Sequence, residues 1–156
     1  MVAVAAHHLL FVRLLLRGLA ALVVLAITVC LLAPWLVYEV ALARLPTLPD
    51  RPQVLATPQQ QDEVWRRAGG EGPLVLEPLN PYGFVVALVT RDRVRPGEEL
   101  AYWVARDHLA AERAGGGMLG WQASNAALMI WLTRHWSREE LASAAYAVTG
   151  RSGQRP

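Results

Sequence analysis

From Gly18 to Tyr38 the chain carries no charged side chain, with Arg17 just before the run and Glu39 just after it. As a helix rising about 1.5 Å per residue, this run is roughly 31 Å long, close to the ~30 Å hydrocarbon core of a bilayer. One transmembrane helix over 18–38 is the economical reading, and it makes the lipid bilayer the first expected partner. Pro34 removes a backbone donor and crowds the preceding turn, which is costly inside a soluble helix but tolerated near the end of a span. Trp35 and Tyr38 follow it, amphipathic rings suited to the headgroup level.

Ala41-Leu42-Ala43 has the small-x-small form of a signal-peptidase site, so a cleaved signal peptide is the competing reading. A signal peptide's apolar core is about 7–15 residues long and lies close to its cut. This run is longer and ends well upstream, which favours an uncleaved anchor. Arg13 and Arg17 precede the span, whereas Arg44 and Arg51 follow at greater distance, mixed with Glu39 and Asp50. By the positive-inside rule the flank 1–17 is expected in the cytoplasm and the chain beyond the span on the opposite side. In a Gram-negative bacterium that describes a single-pass inner-membrane protein with a periplasmic domain.

After the span the pattern breaks. Pro46, Pro49, Pro52 and Pro58 interrupt residues 39–58, so 39–56 reads as a semi-rigid linker that holds the next domain a short distance from the membrane. Residues 57–150 then read as one small helical domain. Thr57-Pro58-Gln59-Gln60 is a helix start, with Thr as cap, Pro at the first helical position and Gln completing a capping box. Gly69-Gly70 ends that helix.

Leu74-Val75-Leu76 and Phe84 to Val89 are short apolar runs separated by Pro78 and the turn Asn80-Pro81-Tyr82-Gly83. They allow a short β-hairpin, although the second run equally suits a buried helical segment, and helix or irregular structure is favoured there. Past Pro96, Glu98 and Glu99 place acid in a first turn, and Leu100, Trp103, Val104 and Leu109 form an apolar stripe. Gly115-Gly116-Gly117 stops that helix. The next, from Met118 to about His135, is apolar enough between Ala126 and Leu132 to be buried on most sides. Ser137-Arg138-Glu139-Glu140 is a second capping box, opening a last helix to about Val148, and 151–156 reads as a disordered tail. The expected fold is mainly α.

Composition narrows the chemistry. All 15 basic residues are Arg, a bias that suits a high-GC bacterial genome, and the formal charge of +2 is too small to suggest nucleic acid. No basic run with interleaved aromatics follows the span. Cys30 is the single cysteine and lies inside the apolar run, so neither an intrachain disulfide nor a cysteine metal cluster can form. Asp107, His108 and His135 stand at spacings with no metal specificity, and no cofactor motif is present, neither a nucleotide-binding glycine loop nor a nucleophile elbow.

Trp131-Leu132-Thr133-Arg134-His135-Trp136-Ser137-Arg138-Glu139-Glu140-Leu141, running on to Tyr146, resembles the late helices of bacterial peptidoglycan glycosyltransferases. There a basic stretch, a Ser-x-Glu-Glu cap and an aliphatic-to-Tyr helix recur. Ala87-Leu88-Val89-Thr90-Arg91-Asp92-Arg93 is similar to that family's segment around its catalytic glutamate. The resemblance covers about a third of the chain, and it implies a lysozyme-like helical domain tethered by one N-terminal span, with peptidoglycan glycan as a partner. Where the family has Glu before the Asp, this chain has Arg91, and arginine cannot serve as a base. The family's Gln-rich glycan-binding motif is also missing. The resemblance therefore implies a divergent domain and does not establish catalysis.

A glycosidase needs two facing carboxylates. Glu98 and Glu99 are explained as helix-start charges, which leaves Glu77, between an apolar run and Pro78, as the candidate catalytic acid. Arg91, Arg93 and Arg95 alternate along a loop and are candidates to grip phosphate. The Trp residues at 103, 121, 131 and 136 are more often core than sugar platforms, and Trp121 and Trp136 are the candidates to stack on a glycan if exposed. The chain thus reads as a membrane-anchored binding or scaffold protein that engages envelope proteins or glycan, with a divergent glycan enzyme as the alternative.

Overall fold

The structure, a computed structural model, describes residues 2–90, 94–112 and 117–152. It begins with helix α1, Val2–Ala43, which contains Pro34 and ends in no glycine or basic turn. Its Leu15–Ala43 part has a mean hydropathy of 2.6 over its most apolar window and buries none of it, which makes it long and apolar enough to cross a membrane. Leu19, Leu22, Leu25 and Leu36 each expose more than half of their surface. Thr28 hides its hydroxyl by donating to the Val24 carbonyl at 2.9 Å. The helix does not stop at Tyr38: Glu39-Val40-Ala41-Leu42-Ala43 contains no breaker, and Pro46 comes too late to end it sooner.

The chain divides into two compact units, Met1–Leu36 and Val37–Pro156. The second therefore starts inside α1, and its core includes Tyr38 and Ala41, only 7% and 5% exposed. Residues 39–56 are thus no free spacer. Helix takes 39–43, and the proline-rich remainder is bonded along the globular unit. Thr47 donates to Glu112 at 2.9 Å, and its carbonyl meets the His108 ring at 3.1 Å. Arg51 reaches the Glu140 carboxylate at 3.0 Å and the His135 carbonyl at 2.8 Å. The Ala56 amide donates to Ser143 Oγ at 2.8 Å. Prolines keep this strand of chain extended, and side chains of the helices beneath satisfy its polar groups.

Three helices start at a proline whose missing N–H is no loss in a first turn. In α2, Pro58–Arg67, the Gln60 amide donates to Thr57 Oγ1 at 3.4 Å while Gln60 Oε1 accepts from the Thr57 amide at 2.9 Å. In α3, Pro81–Thr90, Asn80 Oδ1 accepts from the Gly83 amide at 2.7 Å. Asn80-Pro81-Tyr82-Gly83 is thus a helix cap and not a hairpin turn, and no strand forms among the described residues. In α4, Pro96–Ala111, a carboxylate oxygen of Glu98 accepts from the Arg95 amide at 3.4 Å. Helices α5, Gly117–His135, and α6, Arg138–Ser152, are joined by the Ser137–Glu140 capping box, with bonds of 3.1 and 2.7 Å.

The core lies where α4 packs on α5 and α6, with α2 set against α6. Val64, Leu100, Leu109, Leu128, Leu132 and Leu141 fill it, each almost fully enclosed. Burying side chains of this size stabilises by about 1.5–3 kcal/mol apiece, before the entropy of ordering them is subtracted. Among the described residues, α3 takes part in none of these packings.

Candidate functional site

Glu77 and Arg95, both singled out by the sequence, meet. The extended segment 74–78 runs past the start of α4, and Gly97 makes the close approach possible: a Cβ there would fall 3.2 Å from Leu76 Cδ1 and 3.5 Å from the Val75 carbonyl oxygen. Arg95 Nη1 forms an ion pair with Glu77 Oε2, and Arg95 Nε bonds Glu98 Oε1 at 2.6 Å. The Glu98 hydrogen bond holds the guanidinium even more firmly in its charged form; burial, the next influence, opposes it, and the charges of Glu98 and Glu77 add to it. Trp65, Val75 and Pro96 complete a shallow cleft of about 160 Å³ around this cluster.

The chemistry of that cluster is cross-linking. Both carboxylates converge on one guanidinium instead of facing one another across a space where a glycosidic bond could lie. Glu77 is 65% exposed, so no apolar pocket surrounds it. What the three residues do is tie the 74–78 segment to the first turn of α4. An anion seeking Arg95 must displace two carboxylates.

The other expected ligand contacts are dispersed. Arg91 and Arg93 lie outside the described residues. Trp121 is half-buried near the start of α5. Trp136 is 5% exposed, and its ring packs edge-on against Trp131 at 6.4 Å, so it is a core residue without a face open to a sugar. Trp131 in turn stacks on His135 at 5.0 Å. The ring nitrogens His135 Nδ1 and His108 Nε2 meet main-chain carbonyls, those of Trp131 and Thr47. Trp65 carries Gly70 directly over its indole, where a Cβ would sit 2.2 Å from Cε2. Beside it, the Gly69–Pro73 turn borders a broad open depression with Asp62 and Arg66 on its rim.

Arg134 is the residue that sequence reasoning missed. Its Nη1 donates to the Leu79 carbonyl at 3.2 Å, and it stands within electrostatic reach of the Tyr38 hydroxyl. Next to it, Thr133 Oγ1 accepts from the Leu79 amide at 3.1 Å and donates back to the Met129 carbonyl at 3.0 Å. Residues from the end of α1, the approach to α3 and the end of α5 thus gather at one place inside the globular unit. Partners 54 and 55 positions apart leave no local signal in the chain. No family model, no curated protein and no solved structure matches this chain.

Proposed function

We propose that this chain is an uncleaved, single-pass membrane protein whose helical unit acts by binding, in contact with envelope proteins or peptidoglycan glycan. Its N-terminus lies in the cytoplasm and its helical unit in the periplasm of a Gram-negative cell. The observation that carries the anchor is α1: an uncharged, unburied apolar stretch whose last turns continue into a folded unit. Cleavage after Ala43 would strip Tyr38 and Ala41 from the core of that unit, which speaks for retention of the helix. Binding is favoured over catalysis because Glu77, the candidate acid, is engaged with Arg95 in an exposed ion pair.

Three assays on the full chain test this. Sedimentation with purified sacculi, together with crosslinking in intact membranes, is expected to capture glycan or a membrane partner. A peptidoglycan zymogram is expected to stay dark for the native protein. A cleared zone that disappears in Glu77→Gln would overturn the binding reading and make the domain a divergent glycan enzyme.

A further inference from the structure

Helix α2 closes in a turn built on glycines. The Gly69 amide bonds the Arg66 carbonyl at 3.0 Å and the Gly70 amide bonds the Trp65 carbonyl at 2.9 Å, with Gly69 at a φ of 85° that side chains rarely adopt. Gly70 then lies against the Trp65 indole, in space that no other residue could use, since a Cβ there would fall 2.4 Å from Nε1. Trp65 is only 6% exposed, and its Nε1 finds no acceptor among the described residues. Buried donors left without an acceptor are costly and few in native proteins, so each calls for a reason. Trp65 is also the wall shared by two hollows: the small cleft at Glu77 and Arg95, and the open depression of about 740 Å³ along the Gly69–Pro73 turn.

The two hollows differ in charge. In the smaller, Arg95 is already held by Glu77 and Glu98. The larger is bordered by the exposed residues Asp62, Arg66 and Glu71, none of them in an ion pair among the described residues, while the neighbouring Arg67 pairs with Glu63. Two open carboxylates outweigh one guanidinium there, and the negative end of the α2 dipole points toward the same turn. A cation is drawn to such a place. The indole N–H asks in addition for an acceptor, which a simple ammonium ion lacks and a peptide with a basic side chain supplies from its main chain. Gly70 and Gly72, the latter at a φ of 69°, stand on either side of Glu71 and carry no side chain to collide when the turn rocks away from Nε1.

We propose that the depression at the end of α2 binds a basic segment of a partner protein, whose main-chain carbonyl accepts from Trp65 Nε1 and whose Lys or Arg side chain sits between Asp62 and Glu71. The inference rests on the binding reading and gives its protein partner a chemistry and a place. The full chain is isotope-labelled and held in detergent micelles, and the Trp65 indole resonance is identified by its nuclear Overhauser contact with the Gly70 α-protons. The probes are two capped peptides, acetyl-Ala-Lys-Ala-amide and acetyl-Ala-Glu-Ala-amide, and a chitin tetrasaccharide.

The expected result is a saturable downfield shift of the Trp65 indole proton with the Lys peptide and none with the Glu peptide or the tetrasaccharide. In the Asp62→Asn, Glu71→Gln double variant, altered only at exposed positions, the apparent Kd for the Lys peptide should rise about tenfold. No shift with the Lys peptide overturns the site and leaves the binding reading to sacculi and crosslinking, since the probe reports on Trp65 alone. Equal shifts with the Lys and Glu peptides, or an unchanged Kd in the double variant, overturn recognition of a cation. A shift with the tetrasaccharide that equals or exceeds that of the Lys peptide assigns the depression to glycan and overturns the peptide site.

Discussion

Phe84 to Val89 in α3 and Ala126 to Leu132 in α5 are near equals in composition, yet residues of the two runs end in opposite surroundings. Leu128 and Leu132 are fully enclosed, while Val85 and Val86 lie open. The difference comes from what each helix faces. Helix α5 packs along α4, whereas the approach to α3 is fastened by two hydrogen bonds at Leu79, and Val85 and Val86 then lie outside the packed core. Local apolarity sets the demand for a nonpolar environment, and topology decides whether the chain supplies it. In α1 the same demand goes unmet over a far longer stretch, which is why that helix reads as a span.

The largest expected contrast comes from truncating each stretch in turn. Leu132→Ala removes a fully enclosed side chain and should cost about 2–5 kcal/mol, while Val86→Ala should change stability by less than about 0.5 kcal/mol in detergent. Denaturant titration followed by tryptophan fluorescence reads both. Equal losses would mean that α3 is packed as tightly as α5, and the comparison would collapse.

A smaller effect is expected at the joint between the two helices. Thr133→Val keeps the shape but leaves the buried Leu79 amide without its acceptor, at a cost of about 1–3 kcal/mol. Hydrogen exchange should quicken at Leu79 and in the first turn of α3, with the centre of α5 slowed as before. Unchanged exchange at Leu79 would show that Arg134 alone fixes the start of α3.

Acid should act least, because neither apolar stretch contains a charge. Among the described residues Glu139 is the carboxyl held below its ordinary value of 4.5, chiefly by its hydrogen bond to Arg138 and then by a backbone hydrogen bond. A depressed carboxyl contributes stability above 4.5, and that contribution fades as pH falls through the lower folded value. With both partners well solvated the loss should stay below about 0.5 kcal/mol, and Arg138→Ala should remove most of it. Unfolding curves taken at neutral and at acid pH, for both proteins, measure this.

The parts of the fold that were legible in the sequence are those fixed within a few residues. The Thr57–Gln60 and Ser137–Glu140 boxes announce their helices because cap and partner lie three positions apart. The apolar run of α1 is legible for the same reason. Asn80-Pro81-Tyr82-Gly83 was ambiguous, since Asn and Pro serve both turns and helix starts, and only the bond from Gly83 to Asn80 decides between them. Of the candidate site, the nearness of Glu77 to Arg95 depended on a glycine at position 97 that lets two segments touch, and nothing in the spacing revealed it. For Trp136 core was the commoner reading, but a sugar-facing ring stayed open because an aromatic side chain at a helix end carries no mark of which way it turns.

The central claim is that α1 stays attached because the globular unit begins inside it. The most direct test is to wash membranes with alkaline carbonate, extract the protein and measure its intact mass. The account predicts the full chain of 17.1 kDa in the washed membrane fraction. A soluble protein whose N-terminus is Arg44 would contradict it.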